Sequence, residues 1–202
     1  MSKHSELEKL FNTATHFFSA SPGGAFPPET IPEVAFIGRS NVGKSSLINA
    51  LVRQNKLART SNTPGATRAL HFYRVGDQFS LVDLPGYGYA NLSKEAIAEI
   101  SDWVREYLSN RRKLRLVCVL VDSRHGLKPS DNEMLKALAE YGVSALVVLT
   151  KADKSKAKEV AATLAQVKEQ LVCLPVVHNE VILTASTTGQ GINELREFIA
   201  KE

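Results

Sequence analysis

Apolar and polar positions along this chain fall into short blocks that alternate between strand-like runs and helix-like spacing. Leu7, Leu10, Phe11 and Ala14 stand at i, i+3, i+4 and i+7, which predicts a short amphipathic helix. Ser21-Pro22-Gly23-Gly24 and Pro27-Pro28 then break any regular element. From residue 33 strand and helix alternate. Val34 to Ile37 reads as a strand ending in Gly38, and Lys44 to Val52 as a helix. Residues 58–69 form a loop rich in Thr, Ser, Asn, Pro and Gly. Leu70 to Val75 and Gln78 to Val82 flank Gly76-Asp77, a Gly-X link that predicts a tight antiparallel hairpin. Ile97, Ile100, Val104 and Leu108 mark a helix face. Leu116 to Val121 is continuously apolar, as expected of a parallel strand covered on both faces. Ser130 and Glu133 predict a capping box, Leu135 and Leu138 an inward helix face, and Gly142 its terminator. Val143 to Leu149 is a second buried strand, and Val160, Leu164, Val167 and Leu171 repeat at helical spacing. Val176 to Leu183 is the last strand, and Ile192, Leu195 and Ile199 mark a terminal helix.

This order predicts an α/β domain: a mostly parallel six-stranded sheet with one antiparallel edge strand and helices on both faces. Residues 1–30 read as an N-terminal arm packed on the main domain, with a partner-binding tail as the alternative; residues 31–202 are the main domain. The 202 residues are 44% hydrophobic and 23% charged, a composition that excludes disordered, collagen-like and disulfide-framework proteins. No apolar run approaches the roughly 20 residues of a bilayer span, and the N-terminus lacks a signal peptide's basic start and apolar segment. A cytoplasmic enzyme or binding protein without a membrane partner is expected. The net charge of +4 leans toward polyanions. Cys118 and Cys173 each lie in an apolar run and read as two buried thiols. The five histidines show no zinc-ligand spacing.

The chemistry is concentrated in four stretches. Gly38-Arg39-Ser40-Asn41-Val42-Gly43-Lys44-Ser45 matches G-x-x-x-x-G-K-S/T in full, after a predicted strand and before a predicted helix. Its glycines let backbone N–H groups wrap a β-phosphate, and the helix that follows points its positive end at the same phosphates. Lys44 is suited to the β- and γ-phosphates, the Ser45 hydroxyl to Mg²⁺, and Ser46 completes the stretch. Asp83-Leu84-Pro85-Gly86 ends the 78–82 strand; Asp83 is suited to hold Mg²⁺ through water and the Gly86 N–H to meet a γ-phosphate. Between them lies Thr63-Pro64-Gly65-Ala66-Thr67-Arg68, which with Ala69 is a candidate nucleotide-contacting stretch. Thr67, nearer the next strand, is favoured over Thr63 as a direct Mg²⁺ ligand present only with the γ-phosphate. Lys44, Thr67 and Gly86 are accordingly the candidate catalytic groups. Thr150-Lys151-Ala152-Asp153 follows the 143–149 strand. A carboxylate there accepts from guanine N1–H and its exocyclic amine, a donor pair adenine lacks, and such a site rejects the wrong base by roughly 10⁴-fold or more. Thr184-Ala185-Ser186 after the last strand is suited to back the base with N–H groups.

Together these stretches resemble translation-factor-class P-loop GTPases. More narrowly, G-R-S-N-V-G-K-S-S, T-P-G-A-T-R, D-L-P-G-Y-G-Y-A and T-K-A-D are similar to the EngB family (also called YihA or YsxC), over roughly residues 17–200. The resemblance implies a Ras-like fold, GTP and Mg²⁺ as ligands, a role in large-ribosomal-subunit assembly and a need for the protein in normal cell division and septation. Its implied partners are GTP/GDP and the large subunit or its precursor, with rRNA and ribosomal proteins; a monomer is expected. Two departures from the wider pattern stand out: Thr150 in place of the usual Asn, and Thr184-Ala185 in place of the family's usual Phe-Ser.

Small GTPases often carry a Gln after D-x-x-G to orient the attacking water; Tyr87 stands there, which predicts slow intrinsic hydrolysis. Asn41 is either a simple loop hydrogen-bonder or, as in related GTPases, part of a seat for an activating K⁺ ion. His71, Phe72, Tyr73, Tyr87 and Tyr89 are candidate base-stacking aromatics, and Arg111, Arg112, Lys113 and Arg115 form a basic cluster suited either to rRNA phosphates or to a helix C-terminus. The competing readings are an enzyme acting on a small substrate and a signalling GTPase acting on a non-ribosomal division partner.

Overall fold

The computed structural model describes residues 3–58, 69–88, 92–175 and 177–202. Its elements are α1 (Lys3–Asn12), β1 (Thr15–Ala20), β2 (Glu33–Gly38), α2 (Lys44–Val52), β3 (Leu70–Val75), β4 (Phe79–Asp83), α3 (Lys94–Asn110), β5 (Leu114–Asp122), α4 (Pro129–Glu140), β6 (Ala145–Thr150), α5 (Ala157–Leu171), β7 (Val177–Leu183) and α6 (Ile192–Ile199). The strands form one sheet in the order β1-β3-β4-β2-β5-β6-β7. All neighbours are parallel except β3, which runs against both β1 and β4.

Among the described residues the sheet therefore has seven strands rather than six, and the antiparallel strand β3 is not its edge. β1 lies outside β3, with Thr15 opposite Arg74 and Ala20 opposite Leu70. An edge strand buries little, so β1 lacks a clean apolar alternation, and its pairing is interrupted by a register shift between His16 and Phe18. β3 and β4 are the expected antiparallel neighbours, but Val75 pairs with Phe79, so the link is the three residues 76–78 rather than Gly76-Asp77 alone.

Continuous apolar runs become strands packed on both sides. In β5, Val117, Val119 and Val121 face one core while Leu116, Cys118 and Leu120 face the other. In β6, Val147 and Leu149 face the first, Leu146 and Val148 the second. The first core is closed by α3, α4 and α5 through residues such as Trp103, Leu135 and Val167. The second is closed by α1, α2 and α6 through Phe11, Leu47 and Leu195. Phe11, on the helix predicted near the N-terminus, is fully buried and meets the Phe79 ring at 5.3 Å. Full burial of one such side chain contributes about 1.5–3 kcal/mol.

Three local expectations change. α4 starts one residue before Ser130, so the carboxylate reaching back to its entry is Asp131, which accepts from Lys128 N–H at 2.8 Å, rather than Glu133. Cys118 is buried but Cys173 is exposed, because the apolar run around it is the end of α5 and a turn rather than a strand. Arg111 is not part of a solvated cluster: its side chain is 7% exposed and binds Glu33 at 2.6 Å.

Candidate functional site

β2, β4, β5 and β6 are parallel, so Gly38, Asp83, Asp122 and Thr150 end at the same edge of the sheet. The order reverses at β2: the chain first builds outward on one side of it through β3 and β4, then crosses to the other side through β5, β6 and β7. Crevices at such a reversal are where open α/β sheets bind ligands.

The loop after β2 turns back through Asn41 (φ 62) and Gly43 (φ 102), two left-handed positions in one short stretch. Gly43 is the N-cap of α2, and no side chain caps that helix. Its first N–H groups and positive dipole end face the loop. Lys44 extends beneath it, buried, and pairs with the buried carboxylate of Asp83 at the end of β4. Ser45 is half-buried beside it.

The segment after Asp83 is fastened to this loop. Leu84 N–H donates to Phe36 O at 3.0 Å, Tyr87 N–H to Gly38 O at 3.2 Å, and Ser40 N–H to Tyr87 O at 3.1 Å. Gly86 passes so close that a Cβ would stand 2.8 Å from Gly38 O, which only glycine avoids. The Tyr87 phenol turns toward α4 and donates to Asp131 Oδ1 at 2.6 Å. Burial, together with the adjacent carboxylate, pushes that phenol's pKa far above its ordinary value.

On the other side, Thr150 Oγ1 donates to Val42 O at 2.7 Å, tying the end of β6 to the loop. Lys151, in the left-handed region at φ 60, lays its chain across the loop and donates to Asn41 O at 2.6 Å. Its ammonium also lies 3.1 Å from Asp122, which Arg124 clasps with both side chain and backbone. Burial favours the neutral Asp122 acid, but these hydrogen bonds outweigh it and hold the carboxyl well below the ordinary carboxylate range. Asp153 is exposed at the rim; Lys154 (2.9 Å) and Thr187 Oγ1 (3.0 Å) bind it and lower its pKa.

Thr184 is buried, and both its N–H and its hydroxyl donate to Leu149 O, at 2.6 and 2.9 Å. Its carbonyl accepts from Ala152 N–H, and Ala185 N–H donates to Gln190 O. Both of those N–H groups thus serve the fold here, while Ser186 is half-buried at the start of the turn that carries Thr187. Ala69 precedes β3. Gly65, Ala66, Thr67 and Arg68, and Tyr89 further on, lie outside the described residues. Asp122, Arg124, Asp131 and Thr187 were not singled out by the motif reading; a Thr one residue beyond Thr184-Ala185-Ser186 was the only local signal for any of them.

The family described as 50S ribosome-binding GTPase matches residues 33–151. The probable GTP-binding protein EngB of Ruegeria pomeroyi is 49% identical over 193 residues, covering 95% of this chain and 89% of its own. That of Bartonella quintana is 44% identical over 210 residues, covering 98% and 97%. A crystal structure of a probable GTP-binding protein engB superposes with a TM-score of 0.63 at 29% identity, covering 83% of this chain and 97% of its own. The chain thus belongs to the EngB GTP-binding proteins, a family of GTPases.

Proposed function

We propose that this chain is a GTP-operated switch that binds GTP with Mg²⁺, hydrolyses it slowly in the cytoplasm and assists assembly of the large ribosomal subunit, on which normal division and septation depend. The observation that carries the reading is the pair of hydrogen bonds from Thr150 and Lys151 to the loop at Val42 and Asn41. They fix the spacing between Lys44, suited to phosphate, and Asp153, suited to guanine.

In this reading Gly38 to Ser46 receive the phosphates, Gly65 to Ala69 and Asp83 to Gly86 answer to the γ-phosphate, and Thr150 to Asp153 with Thr184 to Ser186 hold the base. The buried Lys44–Asp83 pair fits a metal–nucleotide ligand, since a dry ammonium and carboxylate are costly unless compensated. Phosphate would take the lysine, and Mg²⁺ the Ser45 hydroxyl with Asp83 behind water; bound there, the ion neutralises charge developing on the phosphates. Slow hydrolysis is supported by the Tyr87 phenol being turned to Asp131 rather than offered to an attacking water. The described residues include no helix long and apolar enough to cross a membrane. Residues 1–30 act as an arm of the 31–202 domain, and the chain works as a monomer.

Sedimentation with large ribosomal subunits at near-physiological salt tests the reading. Co-pelleting is expected with a non-hydrolysable GTP analogue and not with GDP; no co-pelleting in any state, with nucleotide binding intact, would overturn the ribosomal part. Hydrolysis rates in K⁺ against Na⁺ separate the two readings of Asn41.

A further inference from the structure

The Tyr87–Asp131 contact joins two parts of the chain that the nucleotide reading leaves unconnected: the end of the D-L-P-G segment and the start of α4. Asp131 is 1% exposed and both carboxylate oxygens are used. Oδ2 accepts from Lys128 N–H at 2.8 Å, so the helix start orients the group; Oδ1 accepts the Tyr87 phenol at 2.6 Å. Hydrogen bonds to a carboxylate are shorter and stronger than neutral ones, and a partly dry setting strengthens them further.

We infer that Asp131 is a positioning residue for recognition of the third phosphate, acting through the Tyr87 side chain. The inference rests on the GTP reading above. The segment carrying Gly86 is held on both sides of it. Leu84 N–H and the Tyr87 main chain fasten it to β2 and the loop. The Tyr87 phenol adds a side-chain tie to α4. The Gly86 N–H is the donor suited to a γ-phosphate, and a donor already in place costs no reorganisation when the ligand arrives. Removing the phenol's tie leaves the segment on its main-chain bonds alone and loosens the aim of the Gly86 N–H. The loss then falls on ligands that carry a γ-phosphate and spares those that do not. By the same coupling, γ-phosphate occupancy is felt at the start of α4 and in the adjoining 122–128 loop, which with Arg39, Ser40 and Asn41 encloses a cavity of about 220 Å³.

The test measures affinities of the full chain with Mg²⁺ for GDP and for a non-hydrolysable GTP analogue in wild type, Tyr87→Phe, Asp131→Ala and the double variant. Tyr87→Phe keeps the ring and the Asp131–Lys128 bond, so it stays informative should Asp131→Ala fail to fold. The expected result is a fall of about tenfold in analogue affinity with GDP affinity within about twofold, the size expected for one lost hydrogen bond to a charged group. The double variant is expected to lose no more than the worse single one. An unchanged analogue-to-GDP ratio in Tyr87→Phe, an equal loss for both nucleotides, or additive losses in the double variant would each overturn the inference. A wild-type chain that binds neither nucleotide would bring down the GTP reading itself, and this inference with it.

Discussion

Thr150 shows how much one side chain at this site carries. Its hydroxyl donates to Val42 O at 2.7 Å and lies 3.3 Å from Val121 O, so it ties the end of β6 to the phosphate-side loop across 108 residues of sequence. Thr150→Val keeps the shape and removes the hydroxyl, leaving a buried carbonyl short of a donor. A loss of about 1–3 kcal/mol is expected, read as a lower urea midpoint together with weaker nucleotide binding. Lys44, Asp83, Thr150 and Asp153 stood out in the sequence because each lies in a short contiguous motif, G-x-x-x-x-G-K-S, D-L-P-G or T-K-A-D. Asp131 and Thr187 did not, since neither belongs to a motif and their partners Tyr87 and Asp153 lie 44 and 34 residues away. Cys173 was misread for a related reason: an apolar run at the end of α5 looks the same on paper as a buried strand. Native protein should therefore give one fast-alkylating thiol, Cys173. Cys118, whose thiol pKa burial pushes up, should react only after unfolding.

At the scale of elements, the clamp between α3 and β2 separates structural from surface charge. Arg111, just past α3, binds Glu33 through two nitrogens at 2.9 and 2.6 Å, and Tyr107 donates to the same carboxylate at 2.8 Å. The guanidinium also stands about 6 Å from the rings of Phe26, Phe72 and Tyr107. Breaking a buried pair by deleting one partner leaves the other uncompensated. Arg111→Ala is expected to cost about 3–5 kcal/mol in chemical denaturation, whereas the exposed Arg112→Ala and Arg115→Ala should stay within about 0.5 kcal/mol. Helix and strand order was legible from β2 through α6. β1 was not, because Thr15–Ala20 buries only its last residue and so lacks an apolar alternation.

For the molecule as a whole, acid should loosen the site edge before the cores. Asp122 has a folded pKa below its unfolded one, so the stability it supplies is complete above about pH 4 and is lost as the pH falls further. Thermal midpoints between pH 6 and pH 2 should drop along an acid limb that Asp122→Asn makes shallower. A limb of the same slope in the variant would show that other carboxylates dominate it. The whole architecture follows from where the strands end: each parallel strand around β2 delivers one polar group to the same edge, and loops of otherwise unrelated sequence become one site.

The pairing of β1 with β3 also sets an order of events during translation. Thr15 waits for Arg74, and Ala20 for Leu70, so the outer strand leaves the ribosome some 50–60 residues before its neighbour exists. At about 5–20 residues per second the delay is roughly 3–12 seconds, during which Phe17 and Phe18 have no ladder to join. The nascent chain is thus committed to holding an unzipped hem until the third strand emerges, and a ribosome that stalls between residues 20 and 70 leaves that hem open to other chains.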